Sequence, residues 1–135
     1  MKKVPSENYY CLHSMRRAVS SVRILINRDV SRHIVLSDLA RYAGINECTL
    51  KMGFRTLFKT SIYQYLLARR MNFASRLIVS TQLKIKDIAL QSGYESVSGF
   101  ITSFKKYFGY TPGQLRENSS VKQQFTQKLS AINRL

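Results

Sequence analysis

The sequence predicts an all-α protein built as two helix-turn-helix lobes joined by a long connector helix. Three observations predict it. Apolar residues recur at helical spacing along nearly the whole chain, and no stretch alternates with period two. A nine-residue pattern occurs twice: LSDLARYAG at 36–44 and IKDIALQSG at 85–93 both read apolar, two residues, apolar-Ala, three residues, Gly. The helices that follow match as well, with Leu50 and Phe54-Arg55 answering Phe100 and Phe104-Lys105. The offset is 49 before the turn (Leu36 to Ile85) and 50 after it (Leu50 to Phe100), so the second copy carries one extra turn residue. A helix, a glycine turn and a second amphipathic helix make a helix-turn-helix, and Ala40 and Ala89 are small enough for the second helix to cross closely over the first.

Residues 1–14 read as an N-terminal arm. The first lobe, 15–61, begins with a helix from Met15 to about Val30 that puts Met15, Val19, Val22 and Ile26 on one face. Ser37 suits the N-cap of a short helix ending near Gly44, with Asp38 favourable in its first turn. A further helix runs from about Glu47 to Phe58. The connector, 62–80, carries apolar faces of Tyr65, Leu66, Ala74, Leu77 and Ile78, with Met71 and Phe73 as packing residues. The second lobe, 81–118, contains helices at 86–92, 97–108 and 112–117. In the middle one, Phe100, Phe104, Tyr107 and Phe108 form an i, i+4, i+7, i+8 stripe, and Lys105 and Lys106 lie off it. Gly109 suits the left-handed position past a helix end, and Thr111-Pro112 suits N-cap and first helical position. The tail, 119–135, spaces Val121, Phe125, Leu129 and Ile132 as a marginal helix that needs a surface to lie on.

Composition narrows the partner. Twenty-two Lys+Arg against 7 Asp+Glu leave a charge of +15 in 135 residues, which favours a polyanion: nucleic acid or an acidic membrane surface. No apolar run approaches the ~20 residues of a membrane span. MKKVPSENYYCLHS has no apolar core after its lysines, so no signal peptide is expected. Cys11 and Cys48 suit a reducing cytoplasm and no disulfide framework; with nucleic acid as the partner, a nucleoid-associated place in that cytoplasm is expected. Cys11, His13, His33 and Cys48 lack zinc-finger spacing. With no nucleophile–base–orienter set and no phosphate-cradling glycine loop, neither enzyme activity nor a cofactor or metal is expected.

The run IKDIALQSGYESVSGFITSFKKYFGYTPGQLR resembles the second helix-turn-helix of the AraC/XylS family of bacterial transcription regulators. That motif combines I-x-x-I-A, G-[FY], F-x-x-x-F-[KR]-K, G-x-T-P and a closing arginine, here Arg116. YLLARRMNFASRLI is similar to the family's connector, with Arg70, Ala74 and Leu77 at its characteristic positions, and LKMGFRTLFKTSIYQYL is similar to the iron- and siderophore-responsive branch. The resemblance covers about Met15 to Asn118. It departs from the family at Lys59, where the first motif normally has glycine; the exit from that helix is expected to be strained or differently shaped. Only about 14 residues precede the first helix, so the ligand-sensing domain is not expected in this chain.

The resemblance implies homeodomain-like three-helix lobes and a sequence-specific, double-stranded DNA-binding regulator, an activator with RNA polymerase as a further partner. A connector of about 19 residues is roughly 28 Å of helix, near the ~34 Å between successive major grooves on one face. A monomer could then read both grooves; a dimer would follow if the chain were part of a longer regulator. The family's base-reading positions fall on Cys48, Lys51 and Met52, with Glu47 and Thr49 beside them, and on Val97, Ser98, Gly99 and Thr102, with Ser96 at the start. Lysine can donate to guanine, while Cys48 and Met52 offer apolar contact to thymine methyls. The small second set points to close approach and backbone contact. Ser37, Arg41, Arg55, Lys86, Lys105 and Lys106 are the phosphate candidates. Two other classes compete: a sequence-indifferent nucleoid-type protein and a basic amphipathic membrane binder. Twin glycine turns with close-packed alanines disfavour the second, since surface-active helices need neither.

Overall fold

A computed structural model describes residues 7–133, and the side chains of 11–131. Among these residues all regular structure is helical: α1 (Glu7–Arg28), α2 (Leu36–Ala43), α3 (Glu47–Phe58), α4 (Ile62–Ser80), α5 (Ile85–Gln91), α6 (Val97–Phe108), α7 (Pro112–Glu117) and α8 (Ser119–Asn133). The chain divides into two compact units, Met1–Ala68 and Arg69–Leu135.

In the first unit α1 packs against α2 and α3. Val19, Val22, Ile26, Leu39, Ala40, Leu50, Phe54, Ile62 and Leu66 form its core. Gly53 is a packing residue: a Cβ there would stand 2.9 Å from the Val19 methyl, so only glycine lets α3 cross α1 this closely. α1 already includes Glu7, the first described residue and eight before Met15, so the described part of the expected arm is helical. Residues 7–14 show no apolar stripe, but they hold no glycine or proline, and helix propagation from a packed segment continues until something stops it.

The two turns repeat each other bond for bond. Gly44 and Gly93 are left-handed, at φ +73° and +92°, and the next N–H reaches back to the small residue: Ile45 to the Ala40 carbonyl at 3.1 Å, Tyr94 to that of Ala89 at 3.0 Å. Gly93 has a second task. A Cβ on it would lie 2.9 Å from the Arg70 guanidinium, which passes beneath the turn and sits 5.9 Å from the Tyr94 ring centre.

Helix starts differ partly from expectation. Ser37 is no cap: α2 begins one residue before it, Val35 occupies the cap position, and the Val35 carbonyl accepts from the N–H groups of Asp38 and Leu39. Lys84 likewise precedes α5 without a side-chain cap. Elsewhere capping follows polar residues. Asn46 accepts from the Thr49 N–H at 2.8 Å and Ser96 from that of Gly99 at 3.1 Å. Thr111 and Gln114 form a reciprocal capping box ahead of Pro112.

Helix α3 ends on Lys59 in the left-handed region, φ +60°, its N–H donating to the Arg55 carbonyl at 2.9 Å. Gly109 does the same for α6, at φ +86° onto Lys105. The exit therefore keeps its glycine shape, and a side chain held there costs about 1–2 kcal/mol.

In the second unit Met71, Ala74, Ile78, Ile88, Ala89, Phe100, Phe104 and Leu115 are buried. The aromatic stripe of α6 continues into the tail: Phe104 lies 4.7 Å from Phe108, which stacks on Tyr110 at 5.6 Å and meets Phe125 at 6.4 Å. Two expectations fail here. Tyr107 is 42% exposed, because the buried direction runs through Phe104 and Phe108 and leaves it on the outer edge. Phe73 is also more than a third exposed, whereas Met71 is buried. The tail forms α8, packed against α7, with Phe125 buried and Val121 and Leu129 half-buried. The Ile132 side chain lies outside the described residues.

Arg116 closes the unit. Its Nε donates to the Ile78 carbonyl at 3.3 Å, Nη2 to Thr81 at 3.3 Å, and Nη1 to Leu83. These are carbonyls at and beyond the α4 terminus, which have no intrahelical donor. Arg116→Met is expected to cost about 1.5–3 kcal/mol, read as a lower urea midpoint at unchanged slope.

Candidate nucleic-acid interface

Burial of Leu50, Gly53 and Phe54 fixes the rotation of α3 and turns Cys48, Lys51, Met52 and Arg55 outward. These follow i, i+3, i+4, i+7, so they share one solvent face. Met52 is 66% exposed, and the Cys48 thiol approaches its sulfur at 3.9 Å. Glu47 is exposed in the first turn; Thr49 is half-buried, its N–H held by the Asn46 cap. Along this face a thiol and a thioether alternate with two cations, so it offers apolar contact to methyls and cationic donors to base edges or to an anion.

On α6, burial of Phe100 and Phe104 exposes Ser98, Gly99, Thr102, Lys105 and Lys106. Val97 is half-buried. Ser96 is exposed, but its hydroxyl oxygen is engaged as the cap, and a Cβ on Gly99 would come within 2.9 Å of that oxygen. Gly99 thus protects the cap as well as leaving the surface open. Ile101, half-exposed, stands at the repeat position of Lys51. Sequence reasoning passed over it, although the 50-residue offset from Lys51 to Ile101 marks it.

The phosphate candidates lie beside these faces. Ser37 and Arg41 are exposed on α2, and Arg41 makes an exposed ion pair with Asp38 at 3.8 Å. Such a pair contributes little and is readily exchanged for another anion. Lys86 shares a small hollow of about 50 Å³ with Ser96 and Val97, which places it at the entry to α6. Arg55 and Lys105 occupy equivalent positions in the last turns of α3 and α6, with Lys106 next to the latter. Lys51, Arg55, Lys86, Lys105 and Lys106 have no ion pair among the described residues.

Among the described residues no three His, Cys, Asp or Glu come together to hold a metal, Cys11 and Cys48 are free, and no helix is long and apolar enough to cross a membrane.

Comparison with known proteins agrees with this geometry. A family model described as a helix-turn-helix domain matches residues 39–118. The HTH-type transcriptional regulator ExsA of Pseudomonas aeruginosa is 29% identical over 101 residues, 75% of this chain and 36% of that protein. The melibiose operon regulatory protein of Escherichia coli K12 is 32% identical over 107 residues, 78% of this chain and 35% of its own length. This chain thus spans about a third of these regulators. The solved C-terminal domain of the response regulator yesN from Fusobacterium nucleatum is 36% identical, with a TM-score of 0.70 over 74% of this chain and 98% of that one. Doubled turn, matched helices and these likenesses place the chain in one family: it belongs to the AraC/XylS family of transcription regulators and carries that family's helix-turn-helix DNA-binding domain.

Proposed function

We propose that α3 and α6 enter successive major grooves of one duplex, so that a single chain reads a two-part operator and activates transcription in the cytoplasm. The observation that carries this is the pair of exposed faces at one register of the repeat, each flanked by cations that make no ion pair among the described residues. The 19 residues of α4 make about 28 Å of helix, near the ~34 Å between successive major grooves on one face. RNA polymerase is the proposed protein partner. The iron- and siderophore-responsive branch is the proposed sub-family, resting on 50–66 alone.

The two helices differ in kind. α3 offers Lys51, Cys48 and Met52 to base edges. α6 offers Ser98, Gly99, Ile101 and Thr102, which permit close approach and apolar contact but no bidentate donor. Lys51→Ala is expected to relax base preference in one half-site at a cost of about 1–3 kcal/mol, while Lys105→Ala weakens all sequences alike and lowers the salt slope by about one. Binding to a panel of substituted half-sites measures both. A uniform loss for Lys51→Ala would make it a phosphate ligand. Equal affinity for every duplex would leave the nucleoid-type reading in its place.

A further inference from the structure

We infer that the C-terminal end of α3 is a second phosphate-binding point, formed by Lys59 and Arg23 with Arg55. The starting observation is a conformational oddity. Lys59 alone among the described non-glycine residues has positive φ, at a site where the equivalent turn of the second unit uses Gly109. Both turns make the same backbone bond, so the fold does not require a lysine; it requires a residue that tolerates the left-handed region. What lysine adds is an exposed ammonium group at the end of the proposed reading helix.

Two further cations lie at this end. Arg55 is exposed one turn earlier on the same helix. Arg23, from α1, lies over the ring of Phe58 at 4.7 Å, and Phe58 immediately precedes Lys59. Stacking holds the guanidinium in place while leaving its edge donors free. None of the three has an ion pair among the described residues. Three cations from two helices, one in a strained conformation and one pre-positioned on an aromatic face, match a backbone phosphate. Bound there, the phosphate would set how far α3 lies along its groove, a register role that carries no base preference. This rests on the proposal that the exposed face of α3 meets DNA.

The test is Lys59→Gly in the whole chain, with binding to an end-labelled random-sequence duplex titrated across a salt series. The expected result is a folded protein with thermal stability equal to or above the parent's, weaker binding at low salt, and a log–log salt slope shallower by about one unit. Lys59→Arg should keep the parent slope, and Arg23→Ala should remove about one further unit. An unchanged slope in Lys59→Gly, or a lower melting temperature with unchanged binding, overturns the inference: the lysine would then serve only the helix terminus. Lys51→Ala, on the exposed face of α3 but outside the proposed phosphate point, separates the two levels of the argument. If it leaves duplex binding unchanged, the placement of α3 on DNA fails; if it weakens binding while Lys59→Gly does not, only the second phosphate point fails.

Discussion

Replacing Phe104 by alanine is expected to unfold the second unit while the first stays intact. Its ring is fully buried and touches Phe100, Phe108 and Tyr110 at centroid distances of 5.6, 4.7 and 6.2 Å. Truncation would cost about 3–5 kcal/mol, a large share of the ~5–15 kcal/mol that holds a typical domain together. The first unit has its own core of Val19, Val22, Ile26, Leu50 and Phe54, so its amides should remain protected. Segment-resolved hydrogen exchange is the measurement: protection over 85–108 should fall, and DNA affinity with it. Retained protection with collapsed affinity would mean that Phe104 itself contacts the duplex.

Affinity for duplex DNA is expected to fall by ~10³–10⁵ between about 50 and 200 mM salt, if roughly 6–10 phosphates are contacted. The net charge of +15 motivates this, but the distribution of that charge decides it. Of the phosphate candidates only Arg41 makes an ion pair among the described residues, and that exposed pair is cheaply exchanged. Release of condensed counterions then dominates the salt dependence. A nearly flat titration would remove the phosphate contacts from the account, whatever the faces of α3 and α6 do.

Much of this architecture was legible in the sequence. The doubled LSDLARYAG and IKDIALQSG pattern gave both turns, because a left-handed glycine and a close-packed alanine are local requirements that few residues meet. Thr111-Pro112 was legible for the same reason: the capping box lies within four residues. The outward faces of α3 and α6 followed from periodicity, since burying Leu50 and Phe54, or Phe100 and Phe104, leaves one rotation available. Expectations failed where a distant partner chose among local options. Ser37 is a good capping residue, yet the chain enters α2 one residue before it. Tyr107 satisfies the stripe by spacing, but contact with Tyr110 and Phe125 pulls the buried direction past it.

Short-range hydrogen bonding and a 3.6-residue period are enough to set the helices, the repeat, the turns and the residues that face outward. Which residues those elements use to hold one another depends on long-range packing. Gly53 is glycine because of a Val19 methyl 34 positions away, Arg116 reaches carbonyls on and beyond α4, and Arg23 rests on the ring beside Lys59. Such pairings join residues far apart in the chain, and no local periodicity encodes them; they exist only once packing has brought the helices together.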